Sequence, residues 1–173
     1  GGAIFTSTDA IAWTAATSGT TSDLNGIAFV NSRYVAVGAN GTVLTSSDRV
    51  SWGAQGSGTT ETLHGIGQSG GTLIATGTNG TVLTSSDSSS WTRATTGVTR
   101  TLYAATGLNG RAVVTGAGGT LLTSTDLSNW QAVPSGASAD LRGATVDTAK
   151  FVVVGSGGAI LSSADGLSWT SVA

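Results

Sequence analysis

Asp9, Asp48, Asp87, Asp126 and Asp165 stand 39 residues apart, and so do Trp13, Trp52, Trp91, Trp130 and Trp169. One unit has been copied without net insertion or deletion. Self-similarity at a fixed period of roughly 20 to 50 residues marks stacked or radially arranged units, none of which can bury its apolar face alone. The repeat therefore restricts the architecture before any single residue is considered.

Each copy divides into four segments. In the second they are LNGIAFV (Leu24 to Val30), RYVAVG (Arg33 to Gly38), TVLTSS (Thr42 to Ser47) and SWGAQ (Ser51 to Gln55). All are short, rich in Val, Ile, Thr and aromatics, and bounded by Gly, Asn, Asp or Ser, which is the pattern of strands. Asn40-Gly41 and Asn79-Gly80, replaced by Gly118-Gly119 and Gly157-Gly158 in later copies, are two-residue hairpin signals. No window keeps an apolar period of 3.6 residues. Four short antiparallel strands per repeat predict an all-β propeller blade, whereas a solenoid of parallel coils would not need hairpins at these corners. The chain reads as one propeller domain, residues 1–173, with a half blade at 1–17 and repeats at about 18–56, 57–95, 96–134 and 135–173. Residues 1–17 align with 157–173 and so supply only a third and a fourth strand. Five blade positions with the first incomplete are expected, closed by the hairpin from Ile4 to Trp13 or by association through the gap, because an unpaired edge invites another chain. With no Met and a first residue in mid-repeat, the sequence also reads as a trimmed or excised segment, of natural or engineered origin.

With 39% apolar and only 9% charged residues, the chain can bury a core under a surface of Thr, Ser, Gly and Asn. Seven Lys plus Arg against a net charge of -2 neutralise few phosphates, which argues against nucleic acid. The longest apolar runs fall far below the roughly 20 residues of a membrane-spanning helix. Without Cys there are no disulfides or thiolate metal sites.

The recurring phrases are TSTDAIAWT, TSSDRVSWG, TSSDSSSWT, TSTDLSNWQ and SSADGLSWT. They resemble the Asp-box, the Ser/Thr-x-Asp-x-Gly-x-Thr-Trp turn of sialidase-type and related bacterial propellers. The stretch YVAVGANGTVLTSSD is similar to repeats of secreted bacterial proteins and of the photosystem II assembly factor family. The resemblance covers the whole chain and implies that each Asp accepts backbone amides in the turn between the third and fourth strands, while each Trp packs between blades. Glycine at the post-Asp position is kept only at Gly166; elsewhere the residues are Ala10, Arg49, Ser88 and Leu127. One Asp per box does not make a calcium loop, which needs several oxygens converging on one ion, so the boxes are read as structural and no metal or cofactor is expected. The Gly-rich hairpins lack the following helix that a phosphate cradle needs.

Functional signal lies where the copies differ. After the leucines at 24, 63, 102 and 141 come Asn25, His64, Tyr103 and Arg142; two positions before them come Ser22, Glu61, Arg100 and Ala139, and one before, Asp23, Thr62, Thr101 and Asp140. These connections run from the outer strand of one blade to the inner strand of the next. Asp23, Asn25, Glu61, His64, Arg100, Tyr103, Asp140 and Arg142 are the candidate ligand-binding residues on a shared channel-side face. The sialidase resemblance implies an arginine triad and a Tyr/Glu pair, but these loops hold two arginines and the chain one glutamate, Glu61. An ordinary glycosidase would need Glu61 paired with Asp23 or Asp140, and a lone His64 makes neither a triad nor a zinc site. The reading is a non-catalytic binding or scaffold module contacting glycan or protein, in an extracellular, cell-surface or periplasmic bacterial setting. A glycoside hydrolase is the alternative, and a repeat protein with no ligand a third.

Overall fold

The computed structural model describes residues 1–172; Ala173, at the end of the fourth repeat, lies outside the described residues. Among the described residues eighteen strands form one two-stranded and four four-stranded antiparallel sheets. The half blade is β1 (Ile4–Thr6) and β2 (Thr14–Ala16). The full blades are β3 (Leu24–Val30), β4 (Arg33–Gly38), β5 (Val43–Ser46) and β6 (Gly53–Gln55); β7 (Leu63–Ser69), β8 (Thr72–Gly77), β9 (Val82–Ser85) and β10 (Thr92–Arg93); β11 (Leu102–Leu108), β12 (Arg111–Gly116), β13 (Leu121–Ser124) and β14 (Gln131–Ala132); and β15 (Leu141–Val146), β16 (Phe151–Gly155), β17 (Ile160–Ser163) and β18 (Thr170–Ser171). Within each full sheet the strands neighbour one another in chain order. The fold is a β-propeller arc.

Two hairpins hold each of the four full blades. Asn40 (φ 55°, ψ 35°) and Gly41 (φ 64°) form a type I′ turn closed by Thr42 N–H to Ala39 O at 3.1 Å. In the first three full blades the turns between first and second strands use the same left-handed pairs at Asn31-Ser32, Gly70-Gly71 and Asn109-Gly110, which the sequence reading passed over. The second glycine of the Asn-Gly or Gly-Gly pair also clips one blade to the next. Gly41, Gly80 and Gly119 donate to the carbonyls of Glu61, Arg100 and Ala139 at 2.8, 3.0 and 2.8 Å. A Cβ at Gly119 would collide with the Ala137 carbonyl, so both the positive φ and the close approach require glycine there.

The core is a series of interfaces. Val35, Val37 and Val43 of one blade pack with Leu63, Leu73 and Leu83 of the next; Ile74 and Val82 pack with Leu102, Val114 and Leu122; Val113 and Leu121 pack with Leu141, Phe151 and Val153. Leu63, Leu102 and Leu141 are fully buried, each worth about 1.5–3 kcal/mol of apolar transfer. Their equivalent Leu24 is only half-buried, because the half blade gives it little cover. Ile4, Ala36 and Leu44 join the half blade to β3–β6, and no core cluster among the described residues joins it to β15–β18. The five positions thus form an open arc, not a ring sealed by the Ile4 to Trp13 hairpin.

All five Asp turns adopt one geometry at the rim. In the turn before β6, Asp48 Oδ1 accepts Val50 N–H at 2.9 Å and Ser51 N–H at 2.8 Å, while Ser46 Oγ accepts Arg49 N–H at 2.8 Å. Asp9, Asp87, Asp126 and Asp165 repeat it. The missing glycines change nothing: Ala10, Arg49, Ser88 and Leu127 have φ of 60°, 70°, 65° and 61°, beside 70° at Gly166. Carboxylate hydrogen bonds outweigh the roughly 1–2 kcal/mol that a left-handed residue with a Cβ costs.

The expectation that each Trp is buried between blades needs correction. Trp130 is 6% exposed, Trp52, Trp91 and Trp169 are half-buried, and Trp13 is 60% exposed. Trp91 and Trp130 each lean on the interface between their own blade and the preceding one, and before Trp13 the described residues contain no blade.

Candidate channel-side site

Each inner strand carries a β-bulge at the second residue. The register with the neighbouring strand shifts between Leu24 and Gly26, Leu63 and Gly65, Leu102 and Ala104, and Leu141 and Gly143. The residues skipped are Asn25, His64, Tyr103 and Arg142. A bulged residue has no direct partner and its side chain is re-aimed out of the sheet, which explains why a position so firmly placed in the chain tolerates four different chemistries. The preceding loops behave similarly. The carbonyls of Glu61, Arg100 and Ala139 receive the glycine clips, and those of Asp23, Thr62, Thr101 and Asp140 accept N–H groups of Ala39, Thr78, Ala117 and Ser156 at 2.8–2.9 Å. Main chain is fixed while side chains vary.

Three of the bulge residues form a continuous row across blades. The His64 and Tyr103 rings meet edge to face with centroids 5.7 Å apart, and Arg142 Cζ lies 4.9 Å from the Tyr103 centroid. Arg142 is steered there by Asp140, whose Oδ2 accepts its Nη2 at 2.8 Å, and by Ser156, whose Oγ lies 3.3 Å from Nε. The other oxygen of Asp140 accepts Gly118 N–H at 2.9 Å. The Arg100 guanidinium lies against Gly118 on its free side and makes no ion pair among the described residues. Burial pushes the His64 imidazole below its ordinary 6.5, so it is neutral at physiological pH.

The remaining candidates stand apart from this row. Asn25 donates Nδ2–H to Leu63 O at 2.9 Å, a link between inner strands, and Asp23 is exposed. Glu61 accepts the Thr78 hydroxyl and Asn79 Nδ2, which hold its carboxyl below the ordinary range. Asp140 accepts hydrogen bonds from Arg142 and Gly118. Glu61 is not set up as a raised-pKa general acid, and the partners of the two carboxyls fix them to separate blades. Among the described residues no group of three or more His, Asp or Glu gathers as a metal cage.

Sequence reasoning missed the hydroxyls that hold Glu61 and Arg142. Positions 39, 78, 117 and 156 read Ala, Thr, Ala and Ser. The two hydroxyl copies are the ones that bond Glu61 and Arg142. That departure from alanine was the available signal.

No protein-family model matches the chain, and no curated protein matches it significantly. Solved structures of similar shape include YCF48 bound to D1 peptide, at 20% identity and a TM-score of 0.70 over 89% of this chain and 56% of that one. A GH74 enzyme of Niastella koreensis is 24% identical with a TM-score of 0.68, covering 96% of this chain and 27% of that chain. BamB from Moraxella catarrhalis is 12% identical with a TM-score of 0.63, covering 84% and 42%. All are β-propeller proteins, one of them bound to a peptide and one an enzyme. The chain spans little more than half the length of the YCF48 chains.

Proposed function

We propose that the chain is a non-catalytic recognition module whose channel-side row, His64, Tyr103 and Arg142 with Asp140 and Arg100, binds a segment of another protein, in a secreted or cell-surface setting. The observation that carries this reading is the coincidence of four residues that differ in every copy with the four β-bulges: rigid backbone presents non-repeating side chains on one face. Tyr103 offers an apolar face, and the unpaired Arg100 suits a carboxylate within the segment. YCF48, of similar fold, has been seen with a bound peptide. A glycan is the weaker occupant, because Arg142 lies over one face of Tyr103 and the row holds no second tyrosine or tryptophan on which a sugar ring could stack. The thin charge and abundant hydroxyls of the surface support an extracellular or periplasmic setting.

Panning a random peptide library against the intact chain tests this. Selected peptides should carry an acidic residue close to an apolar one and weaken at least tenfold against Tyr103→Ala and Arg100→Ala, but not against Arg33→Ala in the turn region at the opposite end of the blades. Selection that ignores all three substitutions, or a glycan-array signal lost in Tyr103→Ala with no peptide selected, would replace the reading.

A further inference from the structure

The chain contains four Asn-Gly pairs, at Asn25, Asn40, Asn79 and Asn109. Such a pair is chemically labile, because a glycine without Cβ lets its backbone nitrogen reach the Cγ of the preceding asparagine. The attack needs a glycine N–H that is not engaged elsewhere, an asparagine amide able to swing, and room for the peptide plane to turn.

The fold withholds these from three of the pairs. Gly41 and Gly80 are buried, and their N–H groups donate to the carbonyls of Glu61 and Arg100 at 2.8 and 3.0 Å. A Cβ on either would strike the carbonyl of Thr59 or Val98, which leaves the plane no room to turn. Asn79 Nδ2 is held by Glu61 as well. Asn25 donates to Leu63 O, and Gly26 lies within a sheet opposite Val37, crowded by the Gly65 main chain. Asp165-Gly166 could form the same ring by losing water, but Gly166 N–H donates to Ser163 Oγ at 2.8 Å.

Asn109-Gly110 is built differently. It is the turn between β11 and β12, where both residues are exposed and left-handed, with φ of 51° and 77°. Neither the Gly110 N–H nor the Asn109 amide has a hydrogen-bond partner among the described residues, and a Cβ on Gly110 would have nothing within 4 Å. The counterpart of Asn109 in the first full blade, Asn31, is restrained: its Nδ2 donates to Gly71 O at 3.2 Å, and Ser32 follows in place of glycine.

We infer that Asn109 is a self-modification site, the one Asn-Gly pair that the folded chain leaves free to deamidate. The Gly110 nitrogen gives its proton to solvent and bonds to Asn109 Cγ, the Cγ–Nδ2 bond breaks, and ammonia leaves. The five-membered succinimide then takes up one water at either carbonyl, which yields aspartate or isoaspartate at position 109. Both products place a negative charge on the turn. Isoaspartate also adds a carbon to the main chain between the paired residues Leu108 and Arg111, where a two-residue turn has no slack. The change lies at the opposite end of β11 from Tyr103 and does not depend on the channel-side row. The same hydrogen bonds that clip one blade to the next keep Asn40 and Asn79 from reacting, because each must open before its glycine nitrogen is available.

Incubating the intact chain in mildly alkaline buffer, with peptide mapping by mass spectrometry at intervals, tests this. Asn109 should convert at least tenfold faster than Asn25, Asn40 and Asn79, with isoaspartate among its products. In urea the four rates should converge, since the reacting dipeptide is the same. Asn109→Gln should abolish the early acidic species seen by ion exchange. Conversion of Asn40 or Asn79 as fast as that of Asn109 in the folded chain overturns the inference. So does conversion of Asn109 that is slow until urea is added, which would show that the turn itself restrains the pair. A spread of rates that persists in urea overturns it too, because neighbouring sequence and not the fold would then set the order.

Discussion

The guanidinium of Arg142 stands over the ring of Tyr103, Cζ 4.9 Å from the centroid, although the two residues belong to different blades and occupy the same place in successive copies. Duplication alone would have put identical side chains side by side at this position. Divergence at the bulges has instead built an interaction between blades out of what began as one residue copied.

His64 should titrate below its ordinary 6.5, because burial against the Tyr103 ring disfavours the imidazolium. A depressed folded-state value means that the folded chain resists the proton, so this contribution is complete above 6.5 and is lost as pH falls toward the folded value. Following the His64 ring proton by NMR, Tyr103→Ala should move the midpoint up toward 6.5; an unchanged midpoint would mean that the ring is not what shields it.

Gly119→Ala and Gly158→Ala separate turn strain from the clip between blades. Both glycines are left-handed, at φ 74° and 77°, but a Cβ on Gly119 meets the Ala137 carbonyl while nothing lies within 4 Å of one on Gly158. The Gly158 change should cost about 1–2 kcal/mol and the Gly119 change about 2–5, adding overpacking to the strain. Equal urea midpoints for the two variants would show that the clip contributes nothing.

The Asp turns predict an acid limb. Hydrogen bonds from the backbone, and at Asp126 foremost from the Asn129 side chain, hold all five carboxyls below the ordinary 3.8. The folded state therefore favours the carboxylates, and their contribution is complete above 3.8 and lost as pH falls through the folded values. Asp126→Asn, which keeps an acceptor but no titrating group, should lose less stability between pH 7 and pH 2 than the parent, as read from thermal midpoints. Asp126→Ala should be the least stable of the three at neutral pH.

Trp130→Ala should cost about 3–5 kcal/mol, the usual range for deleting a buried aromatic ring. Trp13→Ala, at a position 60% exposed, should fall within about 1 kcal/mol of the parent. Chemical denaturation of the pair tests whether position along the arc, not the motif itself, sets the value of each tryptophan.

The period, the four segments and the left-handed turn at Asn40-Gly41 were legible because each depends on local pattern, and the strand limits of β3 and β4 coincide with the segments read from sequence. The fate of the tryptophans was not, because burial of Trp13 depends on what stands before its blade and no local pattern encodes that. The row His64–Tyr103–Arg142 was half legible: alignment singled out its members, but the bulge that aims them and the Ser156 hydroxyl that steers Arg142 arise from pairing between strands. Turn uniformity was hidden for a further reason. The carboxylate overrides the backbone preference of Arg49 and Leu127, and propensity counts only the preference.

The clip from Gly41 to Glu61, from Gly80 to Arg100 and from Gly119 to Ala139 is the same joint three times over, made by main-chain atoms whatever the side chains. A gene encoding such a chain can gain or lose 39 codons by unequal recombination and every new junction will match. Blade number is thus a quantity that heredity can adjust without redesigning any interface. Each added copy would also bring one more bulge, free to mutate, so the channel-side row can lengthen by one residue at a time while its support stays fixed.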